Sequence, residues 1–299
     1  MSRQSVDDAG SRDGLVIVDK EPGWTSHDVV ARMRRIVGTR RVGHAGTLDP
    51  MATGVLILGI NRATRLLGYL ASRSKTYDAT IRLGASTITD DAEGEVIAQA
   101  TQTELAALTE AEIAKQIALF RGEIRQRPSS VSAIKIDGVR SYTKVRAGEE
   151  VLLPEREVHI FRYEAVLRER SDFYLDIDAT VECSSGTYIR ALARDLGANL
   201  GVGGHLTALR RTSIDSFNLS AARKIDEYEK EFSFIPLVEA ARVAFKTRSL
   251  SEQERNTLSH GGALTPNESD VVTAAIFEES LIALVQNRSY EAKPLAVFV

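Results

Sequence analysis

The chain has 299 residues, of which 43% are hydrophobic and 26% charged, with a formal net charge of −3. That length suits about two domains with a full apolar core. A single cysteine, Cys183, excludes an intrachain disulfide and a cysteine-built zinc site. No apolar run approaches the ~20 residues of a membrane span. The polar start Met1–Asp13 lacks the apolar stretch of a signal peptide and reads as a disordered tail. The expected location is cytoplasmic.

Charge is unevenly distributed. Residues 32–82 carry ten basic side chains against two acidic, residues 121–146 seven against two, and residues 225–299 seven against twelve. A phosphate backbone responds to the local field rather than to the chain total, so the first two stretches are candidate nucleic-acid surfaces. On charge alone, solvated helix faces explain the same residues equally well.

In chain order, GLVIVD at 14–19 reads as a short buried strand closed by Pro22-Gly23. Ser26 is the expected N-cap of a helix to about Val37, with Val29, Val30, Met33, Ile36 and Val37 on one face and Gly38 as its stop. A glycine-rich loop over 43–54 leads to a buried strand at 55–60 and a helix at 63–71. Residues 75–83 alternate as a half-buried strand with Tyr77, Ala79, Ile81 and Leu83 on one face. A helix capped by Thr109 follows over 110–120, then a basic excursion over 121–153. Residues 157–167 and 173–183 read as an antiparallel pair, 187–200 as an amphipathic helix and 206–213 as a strand. From about 245 the pattern changes to short strands at 271–277, 281–285 and 295–299 with one helix at 252–259, a small β-barrel-like module.

Four familiar motifs are absent from the sequence. Gly38 and Gly43 have P-loop spacing, but His44 stands where lysine is required. Gly201 and Gly203 lack the third glycine of a dinucleotide fingerprint. The five histidines are scattered, with no metal-ligand spacing, and no Gly-x-Ser-x-Gly elbow occurs.

The segment RVGHAGTLDPMATGV at 41–55 is different. Its three glycines allow close backbone approach. Asp49 is the only carboxylate between Asp28 and Asp78, within a cationic stretch, and nearby positive charge favours the ionised form of a carboxylate in general. A turn or helix cap is the ordinary use of Asp-Pro. An ionised, positioned carboxylate can also attack or stabilise a glycosidic carbon. No second carboxylate is supplied locally as a general acid, so the leaving group should need little protonation, as a nucleobase such as uracil does.

GHAGTLDPMATGVLILG, at 43–59, resembles the signature of the TruB family of tRNA pseudouridine synthases. Lys20, Pro22, Gly23, Thr25 and Ser26 resemble its opening motif, and Lys75-Thr-Tyr77 its K-x-Y strand. The runs at 126–138, 183–190 and 204–212 resemble three further motifs, so the likeness extends from about residue 14 to 214. Ser129 departs from it where a second proline is common.

The resemblance implies an α+β pseudouridine synthase fold: a mixed, mainly antiparallel central sheet flanked by helices, with a small C-terminal PUA-like module. It implies a catalytic domain over 14–244, with an RNA-clamping insertion over 121–150, and the module over 245–299. Asp49 is implied as the catalytic residue, acting at C1′ of an everted uridine. Tyr77 would stack on the base, Arg190 would pair with the catalytic aspartate and Leu209 would line the uracil pocket. His44 would fill the space that the everted nucleotide leaves. Tyr188 and Lys20 complete the implied substrate-binding set. The implied reaction converts uridine 55 in the T-loop of tRNA to pseudouridine by N1–C1′ cleavage, uracil rotation and C5–C1′ rejoining. It needs no cofactor or metal, and the expected partner of a monomeric enzyme is the tRNA T-arm. A guide-RNA-dependent synthase resembling dyskerin and a non-catalytic tRNA-folding chaperone are the alternatives.

Overall fold

The computed structural model describes residues 12–129, 135–136, 139–140 and 153–299. The expected disordered tail up to residue 11 and most of the expected clamping insertion lie outside the described residues. The described elements that position the site are labelled in chain order. They are β1 (Gly14–Lys20), α1 (Ser26–Val37), β2 (Val42–Ala45), β3 (Thr53–Ile60), β4 (Lys75–Leu83), α2 (Glu110–Leu119), β5 (Gly122–Gln126), β6 (Arg156–Arg170) and β7 (Leu175–Cys183). After them come α3 (Ile189–Asn199), β8 (Gly204–Ile214), β9 (Ile235–Pro236), α4 (Leu237–Ala244), β10 (Lys246–Ser249), α5 (Glu252–Ser259), β11 (Thr273–Phe277), β12 (Ser280–Arg288) and β13 (Glu291–Val297).

The chain divides into two compact units. One gathers residues up to Pro50 with Gly54–Ala71 and Asp215–Val299, and the other gathers Met51–Thr53 with Ser72–Ile214.

In the first unit β1 pairs antiparallel with β3, from Gly14↔Ile60 to Lys20↔Gly54. β9 continues the sheet beyond β1, and β2 also pairs with β3. The central residues of β1 and β3 are an almost unbroken apolar set, Leu15 to Val18 and Val55 to Leu58, all buried. Such runs suit strands covered on both faces. Helix α1 buries Val29, Val30, Met33 and Val37, as its 3.6-residue spacing requires, and ends at Gly38 in the left-handed conformation. Its N-cap is Thr25, not Ser26. The Thr25 hydroxyl accepts from Asp28 N while the Asp28 carboxylate accepts from Thr25 N, a reciprocal capping box that Ser26 cannot form. The expected helix at 63–71 is a 3₁₀ turn over Asn61–Leu66 followed by a short α-helix over Leu67–Ala71.

The C-terminal part of this unit is a four-stranded sheet in the order β10-β11-β12-β13, with β10 parallel to β11 and the other pairs antiparallel. Its core comprises Leu250, Leu258, Leu264, Ala275, Ile282, Ala283, Val285 and Ala292. Helix α5 falls where the sequence pattern places it, while β13 starts earlier than the pattern suggests and β10 has no counterpart in it.

In the second unit the sheet order is β8-β4-β7-β6-β5, and every neighbouring pair is antiparallel. Tyr77, Ala79, Ile81 and Leu83 form the buried face of β4, as the alternation requires. Helix α3 packs on β8 and β4 with Ile189, Leu192 and Leu196 inward. Elements of this unit without a counterpart in the sequence pattern include β5, which joins the sheet where the pattern places a basic excursion, a hairpin of Ala85–Thr87 with Val96–Gln99 and a short helix at Gln102–Ala107.

Two cationic side chains are buried in this sheet, Lys75 on β4 and Arg211 on β8. Burial, with a smaller contribution from Arg211, lowers the Lys75 ammonium from 10.5 to about 8. Between those values the unfolded chain holds a proton that the folded chain has released, so stability rises as pH climbs from about 8 toward 10.5. Urea unfolding followed across this window should show that rise in the wild type and lose it in Lys75→Met. An identical pH dependence in the two proteins would contradict the burial of a titrating amine.

Candidate functional site

Asp49 lies in the turn between β2 and β3. Gly46 and Gly54 bracket it with φ of 83° and 98°, left-handed values that a side chain would strain. Groups from the start of α1 and the turn before it hold the main chain on both sides of Asp49. Ser26, buried, accepts a hydrogen bond from Leu48 N at 2.9 Å and donates to Leu48 O at 3.2 Å. Gly23 N donates to Pro50 O at 2.9 Å. The Lys20 ammonium donates to Trp24 O at 2.7 Å, Glu21 O at 2.9 Å and Pro50 O at 3.1 Å. Lys20 is 1% exposed, so its three N–H donors meet three carbonyls inside the protein. Asp49 itself is half-buried, between two fixed neighbours. His44, on β2 and half-buried, meets the ring of His27 edge to face, with centroids 5.5 Å apart.

The second unit holds the other expected residues. Tyr77 on β4 lies opposite Val181 of β7 and Arg211 of β8, and Leu209 lies opposite Ala79. Tyr77 and Leu209 therefore share one face of the sheet, and both are buried. Arg190 stands in the first turn of α3 and is 6% exposed. Its Nη1 donates to Thr89 O at 3.0 Å and to Asp91 Oδ2 at 3.1 Å. Asp91 is itself fixed, because its Oδ1 accepts from Thr89 Oγ1 and from Glu93 N. Tyr188 caps α3, and its backbone N–H and C=O are both bonded by the buried amide of Gln126. The Arg156 guanidinium lies 5.3 Å from the Tyr188 ring centre. One turn further along α3, Arg194 bonds the carboxylate of Asp90 at 3.1 Å and Arg127 O at 2.8 Å. Burial holds the Asp90 carboxyl above the usual carboxylate range.

The structure thus brings Tyr77 together with Leu209, and Tyr188 together with Arg190. It brings Lys20 to the carbonyl beside Asp49. Asp91, Ser26 and Gln126 escape the sequence reading as site residues. Asp91 and Arg190 are 99 positions apart, and no local pattern announces such a pair.

A groove of about 750 Å³ on the second unit's sheet has Leu209 and Met51 in its lining, but also Asp78, Asp178 and Glu164. Thr80 and Thr180 donate to Asp178 and Asp78 across it. Arg168 and Arg210 share this lining with the carboxylates, and Arg168 pairs with Asp178 at 3.6 Å. Among the described residues, no group of three or more His, Cys, Asp or Glu could hold a metal ion. No helix among them is long and apolar enough to cross a membrane.

Residues 34–189 match the model of the TruB family pseudouridylate synthase N-terminal domain, and residues 190–234 match that of the tRNA pseudouridylate synthase B C-terminal domain. The chain is 56% identical over 297 residues to tRNA pseudouridine synthase B of Arthrobacter sp. (strain FB24), covering 95% of this chain and 96% of that relative. It is 51% identical over 291 residues to the protein of the same name from Thermobifida fusca (strain YX), covering 96% and 98%. Among solved structures, it is similar to a chain of a Cbf5–Nop10–Gar1 complex, with a TM-score of 0.70 and 25% identity over 96% of this chain and 85% of that one. A chain of an H/ACA RNP bound to a substrate RNA containing 2′-deoxyuridine matches with a TM-score of 0.71 and 22% identity, over 99% and 88%. These two likenesses show the expected α+β pseudouridine synthase fold. With relatives more than half identical over nearly its whole length, the chain belongs to the TruB family of pseudouridylate synthases and is an isomerase.

Proposed function

We propose that the chain converts uridine 55 in the T-loop of tRNA to pseudouridine, acting as a cytoplasmic monomer without cofactor or metal. The observation that carries this reading is the near full-length similarity to relatives named tRNA pseudouridine synthase B. In this reading residues 14–244 form the catalytic domain and 245–299 a small accessory module. The separate core of the C-terminal sheet supports that division.

The target nucleotide must leave its stack before C1′ can be reached, at a cost of a few kcal/mol. Stacking on an aromatic ring returns about 1–3 kcal/mol per base. Tyr77 is assigned to stack on the everted uracil and Leu209, on the same sheet face, to line its pocket. His44 takes the space the nucleotide leaves, and Tyr188 contacts RNA at the start of α3. Asp49 attacks or stabilises C1′ while the N1–C1′ bond breaks. The uracil carries the bonding pair away, turns and rejoins through C5. The C5 proton leaves and N1 gains one, so the product is an isomer and no atom is added. The family resemblance assigns Arg190 as the partner of the catalytic aspartate, and Asp91 positions Arg190. Lys20 acts on the Asp49 loop rather than on RNA, because its three donors are spent on carbonyls.

Purified chain incubated with an unmodified tRNA transcript should form pseudouridine at a single T-loop uridine, with no added protein or guide RNA. A requirement for guide RNA would contradict this reading in favour of the guide-dependent one. Asp91→Asn should lower kcat by about a hundredfold, the scale of a slight misplacement of a reacting group, with tRNA affinity little changed. Unchanged kcat in that variant would remove Asp91 from the assignment.

A further inference from the structure

Arginines in this protein are habitually partnered. Arg32 is bonded by both oxygens of Glu229, Arg62 by Asp13, Arg82 by Asp176 and Arg248 by Glu254. Others spend their guanidinium on carbonyls, as Arg121 does on Tyr163 O. Arg35, Arg40 and Arg41 break this pattern. All three are exposed, and no side-chain hydrogen bond or ion pair engages them among the described residues. Arg35 stands near the Glu229 carboxylate, but Arg32 already holds both of its oxygens. No acidic residue occurs between Asp28 and Asp49 to neutralise the group.

The segment that presents them is built rigidly. Gly38 N donates to Arg34 O at 3.0 Å to close α1, and the Arg34 guanidinium donates to Val42 O at 2.9 Å. Between these ties, Arg41 N donates to Thr39 Oγ1, Val42 N to Arg40 O and Asn61 N to Arg41 O. The backbone is therefore ordered in advance, and a ligand need immobilise only the side chains. β2 begins directly after Arg41 and carries His44 three residues on, about 10 Å along the strand at its usual rise. That distance spans several phosphates of an RNA helix, whose charges are spaced more closely still.

We propose that Arg35, Arg40 and Arg41 form a contact surface for the phosphate backbone of RNA. Three exposed guanidinium groups of like sign within seven positions, carried by the end of α1 and the tied segment after it, offer the charge that neutralises phosphates and releases their counterions. The surface extends the site beyond the residues assigned to the reaction, and it rests on the reading of the substrate as RNA.

The test is equilibrium binding of a labelled, unmodified tRNA transcript, followed by fluorescence anisotropy over a range of KCl concentrations. The triple variant Arg35→Gln, Arg40→Gln, Arg41→Gln should bind at least about tenfold more weakly at low salt. Its plot of log affinity against log salt should be shallower by about 2 to 3, at roughly 0.7–0.9 for each phosphate no longer neutralised. The corresponding triple lysine variant should keep the wild-type slope, and Arg288→Gln, a lone exposed arginine elsewhere, should match the wild type. An unchanged slope in the glutamine variant would assign the three arginines to solvent or to an acidic protein surface and overturn the proposal. A lysine variant as deficient as the glutamine one would overturn it too, because charge would then not be the cause. Steep salt-dependent binding by a wild type that makes no pseudouridine would sink the functional reading and leave this surface standing.

Discussion

An ammonium removed from water must find a partner for each of its three protons, or the fold bears an uncompensated charge. Lys20 finds three backbone carbonyls, two in the turn before α1 and the third at Pro50, thirty positions away. The desolvated charge therefore ties a loop to the start of a helix. Ser26 repeats the tie two residues earlier in the loop, through both polar atoms of Leu48. Asp49 stands between those two anchors. A carboxylate proposed to act on one carbon atom would gain from this, because the cost of ordering its loop is met on folding rather than when substrate arrives.

The second unit follows the same logic with different chemistry. The side chains proposed to bind substrate there project from a sheet face and from the first turn of a helix, elements stiffer than a loop. Arg190 is buried against a carboxylate that is itself bonded by a hydroxyl and an amide, so neither partner of the pair can turn away. The Gln126 amide fixes the backbone of Tyr188 just before Arg190. Each of these polar groups is buried and bonded, and removing one member leaves the other unsatisfied. Substitutions of these supporting residues should therefore alter the geometry of the site as well as stability.

The strands of this protein are legible because their burial is written as alternation or as short apolar runs. Tyr77 to Leu83 shows the first and Val55 to Ile60 the second. The start of α1 is displaced by one residue in the sequence reading because Thr25 and Ser26 are both good caps. Asp28, three residues after Thr25, is the discriminating signal. Ser26 is then available for the Asp49 loop, a use that no local pattern reveals. The helix at Gln102–Ala107 escapes because it buries only Leu105, too little for a period to emerge. The Asp49 loop stands out by its glycines and its solitary carboxylate, but Lys20–Pro50 and Arg190–Asp91 are products of tertiary structure. The roles of Tyr77, Arg190 and Leu209 come from family resemblance, since a buried tyrosine, arginine and leucine carry no such information individually.

The central claim is that the Asp49 carboxylate acts at C1′. Asp49→Asn keeps the size of the side chain and removes its charge. Quantifying pseudouridine in tRNA after prolonged incubation with that variant, alongside its tRNA affinity, separates chemistry from binding. The account predicts no detectable product with affinity near that of the wild type. Product formed at a rate comparable to the wild type would contradict it.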